Sequence, residues 1–476
     1  MKLQLVQKYT EFRDSGLYLY IFPEAAYWFS SSQQCTTLFD QLQKGITLDS
    51  LNKKADTEIE ELLQDLIDVG IVSIDGIIVD NREVISPRGS VRPVRDVCEF
   101  ELTLQCNLRC QHCYISAGEV TSTELDIDAI ARVITDLNII YAGLQSTRRV
   151  VLTGGEPFLR KDLIEIVRLI SKSGFQILIN TNGLLVSQDH LEQLKIIPGL
   201  QICISLDGLK ENHEAIRGKN TYERTIDKIK EIQKSGIIAT INCLMHKDNY
   251  QDLPSMFQLA KDLNLYGINP VPLVLMGRAN SNHLRPVPEK IFYRFMFDIM
   301  KNDPEVEKLI RRTSFLNFVA GLGLNVKCLY CGTGSRGTHF VACDGNVYPC
   351  PNMRYNQFKL GNILKNSLKD ILDNNTIIAE LQNLSVDSMN NKCKQCDVKY
   401  YCGGYCRGET FGITGDINSP YIRCEEYKQG VIECFWLLSR NPDFFQKRIS
   451  EFHEEARAAD QSEPILDLPT LDVGNI

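Results

Sequence analysis

Apolar residues recur along this chain in two patterns, and these patterns predict its organisation. Between residues 98 and 275, short apolar runs are separated by longer stretches with helical spacing. Such runs predict buried strands, and the stretches between them predict amphipathic helices. The predicted strands are 98–104, 148–153, 175–180, 200–206, 237–245 and 267–275. Helices are expected between them, at 124–142, 160–173, 187–196, 221–235 and 251–264. Six strand–helix units favour parallel strands with crossover helices, an α/β fold with active residues at the carboxyl ends of the strands.

The first 85 residues have a different pattern and predict a separate small domain. Apolar runs at 17–21 and 27–29 predict short strands. Helical spacing then predicts three helices, at 31–43, 48–54 and 56–68. A terminal hairpin is expected over 70–79, around Asp75-Gly76. Residues 86–97, in a stretch rich in Arg and Pro, predict a linker to the α/β domain.

Composition and charge exclude several classes of protein. The 476 residues are 43% hydrophobic and 24% charged, as in an ordinary globular protein, and several domains are expected. A net charge of −8 disfavours nucleic-acid binding, because no general basic field would attract phosphates. No run of eighteen apolar residues predicts a membrane span. The N-terminus does not resemble a signal peptide, so a cytoplasmic location is expected.

The 17 cysteines are unevenly placed. In a reducing compartment, clustered cysteines are more often metal ligands than disulfide partners. Three lie between residues 106 and 113, and ten lie between residues 328 and 434. Four others lie in or beside apolar runs and are interpreted as core residues: Cys35, Cys98, Cys203 and Cys243.

The first cysteine group is the loop Cys106-x3-Cys110-x2-Cys113, which follows the first predicted strand of the α/β domain. Three thiolates can hold a four-iron, four-sulfur cluster and leave one iron open. The alternatives are three structural cysteines or a zinc site that includes His112, although Cys110, His112 and Cys113 are crowded for one small ion. The spacing, with Tyr114 directly after it, resembles the signature loop of the radical S-adenosylmethionine (SAM) superfamily. The resemblance implies that SAM binds the open iron and is cleaved to a 5′-deoxyadenosyl radical.

Motifs at the ends of later strands extend this resemblance. Val151-Leu-Thr-Gly-Gly-Glu-Pro157 matches the family's Gly-Gly-Glu-Pro motif, which implies that Gly154, Gly155 and Glu156 hold the SAM amino group. Asn180, Ser205 and Asp207 lie at the ends of the next two strands, where the family binds SAM. Arg217 resembles a residue that pairs with the SAM carboxylate; the alternative is an exposed arginine beside a helix. Met276-Gly-Arg-Ala279 resembles a segment near the adenine.

The second cysteine group resembles the SPASM domain, a C-terminal extension of peptide-modifying radical SAM enzymes. The resemblance implies two auxiliary four-iron clusters, one held by Cys331, Cys350 and Cys406, the other by Cys393, Cys396, Cys402 and Cys424. Cys328 is the chosen fourth ligand of the first cluster, and Cys343, expected in a small hairpin at Asp344-Gly345, is its competitor. Zinc is the alternative for residues 393–406. Cys434 is interpreted as a core residue.

The N-terminal pattern of strands, three helices and a hairpin resembles a winged-helix peptide-binding domain, the RiPP recognition element (RiPP: ribosomally made, post-translationally modified peptide). A winged helix that serves as a structural lid is the alternative. The expected domains are 1–85, this peptide-binding domain; 98–320, a partial (β/α)6 radical SAM barrel; and 321–440, the SPASM domain. Residues 441–476 are expected to form a flexible tail with a docked end at 465–468.

Together these resemblances imply an enzyme that modifies a precursor peptide whose leader binds residues 1–85 by strand addition. A thioether between a cysteine and a carbon is the expected product; carbon–carbon crosslinking, backbone excision and crosslinking of an enzyme subunit are alternatives. An electron donor such as flavodoxin or ferredoxin is implied, with no nucleic-acid or membrane partner. Two other hypotheses are an enzyme that resembles anaerobic sulfatase-maturating enzymes, and a non-catalytic iron–sulfur sensor or scaffold.

Overall fold

The computed structural model of the protein describes most of the chain. The described residues are 1–47, 57–79, 96–119, 123–142, 148–310, 318–319, 321–322, 327–333, 338–373, 375–444, 446–447 and 450. Three earlier expectations lie wholly or mostly outside these ranges: the helix at 48–54, the linker at 86–97 and the docked tail at 465–468. Among the described residues, no helix combines the length and the apolar character needed to cross a membrane.

The N-terminal region contains two small antiparallel sheets and two described helices. The strands are β1 (Lys2–Leu5), β2 (Thr10–Asp14), β3 (Leu17–Phe22), β4 (Tyr27–Ser31), β5 (Ile46–Thr47) and β6 (Val72–Ile74). One sheet has the order β5-β1-β6 and the other β2-β3-β4. The helices are α1 (Thr36–Lys44) and α2 (Thr57–Asp68). The sequence predicted β3, β4 and both helices but not β1, β2 and β5.

A separate apolar core stabilises this region. Aromatic side chains from β3 and from α1 meet in it, with Tyr20 and Phe39 fully buried and their rings 5.2 Å apart. The predicted terminal hairpin is present, since Ile74 and Ile77 bridge around Asp75 and Gly76, which both have positive φ. The cluster of buried apolar residues indicates that this region contributes its own folding energy.

The central sheet begins with six parallel strands, as predicted. They are β7 (Asp96–Glu101), β8 (Arg148–Thr153), β9 (Gln176–Thr181), β10 (Leu200–Ser205), β11 (Ile238–Met245) and β12 (Gly267–Pro272). The connecting helices include α3 (Ile127–Ile140), α4 (Leu163–Lys172), α5 (Gln188–Leu194), α6 (Lys210–Arg217), α7 (Tyr222–Lys234) and α8 (Leu253–Asp262). The apolar faces of these helices cover one side of the sheet and form the main core. The α/β fold of parallel strands with crossover helices expected from the sequence is therefore confirmed.

The sheet does not stop at β7. Three strands from the cysteine-rich region extend it: β13 (Thr338–Val341), β14 (Asn346–Tyr348) and β15 (Gly361–Asn362). β13 pairs with β7 in parallel, and β13 and β14 form the hairpin that the sequence predicted around Asp344-Gly345. The cysteine-rich region is thus joined to the α/β domain by main-chain hydrogen bonds.

Short and long helices complete the structure beyond β12. They are α9 (Arg278–Ser281), α10 (Glu289–Asn302), α11 (Glu305–Ile310), α12 (Leu368–Leu372), α13 (Thr376–Gln382), α14 (Asn391–Lys394), α15 (Lys399–Cys402), α16 (Arg407–Thr414) and α17 (Cys424–Ser439). Helices α10 and α17 pack side by side. Gly430 permits this close approach, because a Cβ atom there would lie 2.5 Å from the Cβ of Glu289.

The N-terminal region lies directly on the cysteine-rich region. The ring of Trp28 packs 4.4 Å from that of Phe435 on α17, and its indole N–H donates to the carbonyl of Leu322 at 2.8 Å. Lys399, with a side chain only 2% exposed, pairs with Glu24 at 2.7 Å and with Asp387 at 2.9 Å. A buried lysine must be paired to be tolerated, so these contacts tie the two regions together.

Candidate functional site

The loop that carries the first three cysteines lies at the carboxyl edge of the parallel strands, directly after β7. Arg109 stabilises it from within, since its guanidinium donates to the carbonyls of Cys106 at 2.8 Å and Leu108 at 3.0 Å. The amide of Leu108 approaches the sulfur of Cys106 at 3.4 Å, and the amide of Ala117 approaches that of Cys113 at 3.3 Å. Amide donors of this kind stabilise a thiolate ligand. The loop therefore provides main-chain donors that favour Cys106 and Cys113 as thiolates.

A segment after β12 holds the loop from outside. Gly277, with φ +51°, comes so close that a Cβ there would lie 2.6 Å from the carbonyl oxygen of Cys113. The amide of Arg278 donates to that oxygen at 3.0 Å, and its guanidinium donates to the carbonyl of Cys110 at 2.8 Å. The sequence associated this segment with adenine. The contacts show that it braces the cysteine loop, a role that its position in the sequence did not reveal.

The Gly-Gly-Glu-Pro turn lies against the chain that leads into the loop. A Cβ at Gly154 would lie 2.4 Å from the Thr103 oxygen, and one at Gly155 would lie 2.0 Å from the Gln105 oxygen. The amide of Glu156 donates to the same Gln105 oxygen at 2.9 Å. Only glycine permits this approach, so the pair is needed for backbone packing as well as for any ligand contact.

The carboxylate of Glu156 is fully buried and already has partners. It accepts from the Thr181 hydroxyl at 2.7 Å, from the Asn182 amide at 2.9 Å and from the Phe158 amide at 3.1 Å. Burial raises the pKa of Glu156, and these donors oppose the rise. The Asn182 side chain in turn donates to Asn107 in the cysteine loop at 2.8 Å. Glu156 thus connects the ends of β8 and β9 and, through Asn182, supports the loop.

Asn180 and Ser205 lie at the carboxyl ends of β9 and β10. The side-chain oxygen of Asn180 is buried and accepts no hydrogen bond from any described residue. A buried acceptor without a donor is costly unless a ligand or water supplies one. Ser205 is half-buried and pairs in register with Asn242 of β11. The side-chain oxygen of Asn180 therefore remains available to a ligand.

Asp207 and Arg217 form a buried ion pair beside the loop. The Arg217 Nε donates to Asp207 at 2.6 Å, and the two side chains are 10% and 0% exposed. Although burial opposes it, the charge of Arg217 lowers the pKa of Asp207 to about 2. The guanidinium also approaches the sulfur of Cys110 at 3.8 Å and His112 Nε2 at 3.4 Å. The alternative of an exposed Arg217 is therefore wrong.

Neighbouring thiols in this loop influence the pKa of Cys106. Burial raises the pKa of Cys106 to about 11, and the nearby Cys110 and Cys113 add to the rise. Burial also lowers the pKa of His112 to about 3, so this imidazole is neutral. Thiols with raised pKa values bind metal by releasing their protons, so binding couples to pH.

The second cysteine field separates into two groups. In the first, burial raises the pKa of Cys350, and the thiols of Cys406 and Cys331 raise it further. Burial raises the pKa of Cys406 to about 12, with a contribution from Cys331. The sulfur of Cys406 accepts from the Glu409 amide at 3.4 Å. These three thiols are therefore near enough to influence one another, and their role as one ligand set remains a prediction.

The other group contains four cysteines. Burial raises the pKa of Cys402 well above its usual value, and Cys396, Cys393 and Cys424 each add to the rise. The side chain of Asn390 approaches the sulfur of Cys393 at 3.3 Å. Cys393 lies on α14, Cys402 at the end of α15 and Cys424 at the start of α17, while Cys396 lies between α14 and α15. Their role as a second ligand set remains a prediction.

Two cysteines considered as a further ligand lie in different places. Cys328 packs on α15, where its amide donates to the Tyr400 carbonyl at 3.0 Å and a Cβ at Gly403 would lie 2.6 Å from its sulfur. Cys343 is buried beside β7, and its amide donates to Glu101 at 3.4 Å. The structure thus separates the two candidates, and a ligand role for Cys328 remains a prediction.

The remaining cysteines behave as the apolar runs predicted, with one difference. Four are at most 1% exposed and belong to the apolar interior: Cys98, Cys203, Cys243 and Cys434. Cys35 is only half-buried, because it precedes α1 at the edge of the N-terminal core.

The cysteine donor sets consist of thiols, which are the ligands that iron–sulfur clusters take. Among the described residues, no three His, Cys, Asp or Glu side chains converge closely enough for one metal ion. A four-iron cluster is larger than one ion and takes each thiolate at a separate corner. The neighbouring thiols and the unpartnered side-chain oxygen of Asn180 are compatible with a four-iron cluster and a bound small molecule.

Contacts from the cysteine-rich region reach the strand ends. The carboxylate of Glu409, three residues after Cys406, accepts from the Leu275 amide at 3.0 Å and from the Tyr421 hydroxyl at 3.1 Å. A cavity next to these residues is lined by Met245, Pro272, Tyr405 and the Glu289–Arg423 ion pair, among others. Sequence spacing gave no sign of Glu409 or Arg423, because neither belongs to a cysteine motif.

Comparisons with known proteins agree with this geometry. Residues 100–260 match the family model described as the radical SAM superfamily, and residues 331–397 match SPASM, described as an iron–sulfur cluster-binding domain. The AdoMet-dependent heme synthase of Methanosarcina barkeri is 28% identical over 351 residues, which are 69% of this chain and 94% of that protein. The mycofactocin maturase MftC of Mycolicibacterium smegmatis is 25% identical over 69% of this chain and 82% of its own.

Solved structures with similar folds include SuiB from Streptococcus suis. Its structure bound to S-adenosylmethionine has a TM-score of 0.56, and its structure bound to the precursor peptide SuiA has one of 0.57. Both are 14% identical and cover 89% of this chain and 100% of that chain. This likeness in fold extends over more of the chain than the matches to the two sequence relatives.

Proposed function

We propose that this chain, which contains a radical SAM domain followed by a SPASM domain, is an enzyme that modifies a ribosomally made precursor peptide. One observation carries the proposal. The three-thiol loop lies at the carboxyl edge of six parallel strands, beside the Gly-Gly-Glu-Pro turn and an unpartnered buried acceptor. A sensor or scaffold would need the cysteines but not the surrounding small-molecule site.

At the first site, Cys106, Cys110 and Cys113 would hold a four-iron cluster whose open iron binds SAM. The reduced cluster and SAM together supply a 5′-deoxyadenosyl radical. Gly154 and Gly155 allow the main chain to approach the ligand closely. Asn180 and Ser205 offer polar groups that face the site, while Glu156, Asp207 and Arg217 fix the surrounding loops.

Two further sites would hold auxiliary four-iron clusters. The ligand sets are Cys331, Cys350 and Cys406, with Cys328 as the proposed fourth member, and Cys393, Cys396, Cys402 and Cys424. Thiols within each group raise the pKa of a neighbouring cysteine, Cys350 in the first and Cys402 in the second, and this supports the division.

The product is proposed to be a thioether between a peptide cysteine and a carbon. Joining S–H to C–H removes two hydrogens from the peptide. One leaves as a hydrogen atom to the deoxyadenosyl radical, and the other leaves as a proton and an electron. The auxiliary sites are suited to accept that electron, and an external donor such as flavodoxin or ferredoxin supplies the electron that starts each turnover.

The leader peptide would bind the N-terminal region as an added strand. The sheet β2-β3-β4 has two edges. On β2, Thr10 donates to Asp397 at 2.7 Å and Asp14 pairs with Arg440, so this edge faces the cysteine-rich region. Because β4 also contacts that region, through Trp28, the proposal is main-chain pairing of the peptide at one of these two edges. SuiB, which has a similar fold, was solved bound to the precursor peptide SuiA, and this supports a peptide substrate.

A tetrapyrrole substrate is the second candidate. The heme synthase of Methanosarcina barkeri matches over 94% of its own length, which favours shared chemistry in the matched part. That match leaves 31% of this chain without a counterpart. The docked N-terminal region is the feature that favours a peptide.

Anaerobically reconstituted protein, supplied with SAM and a reductant, tests the proposal. It should release 5′-deoxyadenosine, and short peptides encoded beside its gene should give a product with two hydrogens fewer. Protein that lacks residues 1–85 should bind that peptide more weakly yet still cleave SAM slowly. Equal peptide affinity with and without those residues would contradict leader binding, and conversion of a porphyrin but of no peptide would favour the second candidate.

A further inference from the structure

The position of Arg217 is not explained by the contact with the SAM carboxylate that the resemblance implies. It is the last residue of α6, yet its side chain turns inward and is 10% exposed. Each of its three nitrogens has a neighbour: Asp207 at 2.6 Å, the sulfur of Cys110 at 3.8 Å and His112 at 3.4 Å. A guanidinium in this arrangement is directed at a cysteine that would bind iron.

Asp207 keeps the guanidinium there. It is completely buried, and its second oxygen accepts from the Leu244 amide at 2.9 Å at the end of β11. The Asn249 side chain also donates to the main-chain oxygen of Asp207 at 3.2 Å. Moving Arg217 away would leave a buried carboxylate without its cation, which is strongly unfavourable. The ion pair therefore fixes Arg217 beside Cys110.

A positive donor beside a cysteine ligand changes the energy of the cluster. Hydrogen bonds to the sulfurs and local charge set the reduction potential of an iron–sulfur cluster. A cation stabilises the reduced form, because that form carries one more negative charge. Burial strengthens this effect, since little water screens the interaction.

We propose that Arg217 is a positioning residue that raises the reduction potential of the cluster held by Cys106, Cys110 and Cys113. It does so by donating to the Cys110 thiolate, with its orientation set by Asp207. The inference rests on the proposed function, because it requires a cluster at this loop. It differs from a role in binding the SAM carboxylate, since it acts before SAM is present.

The test is a reductive titration of the reconstituted full-length protein without SAM, followed by electron paramagnetic resonance. The variant Cys106→Ala/Cys110→Ala/Cys113→Ala supplies the signal of the auxiliary sites alone, and subtracting it gives the signal of the first cluster. The variants are Arg217→Gln, which removes the charge, and Arg217→Lys, which keeps the charge but loses the planar donor arrangement. Lys210→Gln is the matched control, since it removes one charge from the exposed start of the same helix.

The midpoint potential of the first cluster should become more negative in Arg217→Gln, shift less in the same direction in Arg217→Lys, and stay unchanged in Lys210→Gln. An unchanged midpoint in both Arg217 variants, with iron content retained, would overturn the inference whatever happens to SAM affinity. If Arg217→Gln does not retain the cluster, Arg217→Lys is used alone: a more negative midpoint potential supports the inference, and an unchanged one overturns it. No first-cluster signal in the unsubstituted protein would instead reject the proposed function, so the two failures are distinguishable.

Discussion

The loop after β7 has its three thiols within a single run from Cys106 to Cys113, whereas the cysteine-rich region assembles its thiols from segments between residues 328 and 424. The loop is supported by hydrogen bonds from strand ends, through Glu156, Asn182 and Arg278. The cysteine-rich sites are supported by buried aromatic rings and by the N-terminal region.

The N-terminal contacts are close to one of the auxiliary sites. Ala26 packs in one apolar cluster with Cys393 and Tyr400, and Thr10 bonds Asp397, next to Cys396. The loop is thus built locally on the sheet, whereas this proposed auxiliary site depends on contacts between distant parts of the chain. Substitutions in the docking surface, formed by Thr10, Ala26 and Trp28 and their partners, should therefore lower iron binding at the auxiliary site and leave the loop intact.

The largest expected effect comes from removing the loop thiols. Cys106→Ala/Cys110→Ala/Cys113→Ala should abolish 5′-deoxyadenosine release and lower the iron content by about four of about twelve. The fold should survive, because Arg278 and Arg109 bond main-chain carbonyls rather than sulfur. Iron assay and chromatography of the products check this, with Cys35→Ala as the control that keeps all iron. Remaining SAM cleavage in the triple variant would contradict the assignment of the radical site.

The next largest effect concerns the auxiliary site near the docking surface. Cys393→Ala/Cys396→Ala should keep 5′-deoxyadenosine release but stop product formation, because the electron left on the substrate would have no acceptor. Cluster binding and folding are coupled, so the ratio of the two yields is measured in soluble protein only. Product formation at the unsubstituted rate would show that this site is structural rather than an electron acceptor.

Trp28→Ala tests the dependence on docking itself. Removing this ring from Phe435 and from the Leu322 carbonyl should destabilise the protein by about 3 kcal/mol. Denaturant unfolding measures the loss, and iron should fall at the auxiliary sites while SAM cleavage persists. Asp14→Asn is the control at the rim of the same surface, where an exposed pair contributes at most about 1 kcal/mol. An equal loss of auxiliary-site iron and of SAM cleavage in Trp28→Ala would mean that the two cysteine regions are not independent.

The smallest effect is expected for Glu156→Gln. The carboxamide keeps an acceptor oxygen but presents an N–H₂ group where Glu156 accepts from other donors, so stability should fall by about 1–2 kcal/mol. Thermal unfolding of Glu156→Gln and of Trp28→Ala under the same conditions shows which substitution destabilises the protein more. A larger loss for Glu156→Gln would reverse the comparison and place the more critical support at the loop.

Local sequence determined the parts of the molecule whose signals lie within a few residues. Apolar runs predicted the six parallel strands, and the C-x3-C-x2-C spacing identified a three-thiol loop after the first of them. The glycine pair at 154–155 was recognisable because close main-chain approach excludes larger residues. Such features are encoded in strand periodicity and turn spacing, which do not depend on distant segments.

Tertiary structure alone decided the contacts between distant segments. The extension of the sheet by β13, the pairing of Arg217 with Asp207 beside Cys110, and the burial of Lys399 between Glu24 and Asp387 have no local signature. A charged side chain has the same sequence pattern whether it faces solvent or a buried partner. Its environment is fixed only when folding removes water and brings the partner within reach, and for Lys399 and Glu24 that partner lies 375 residues away.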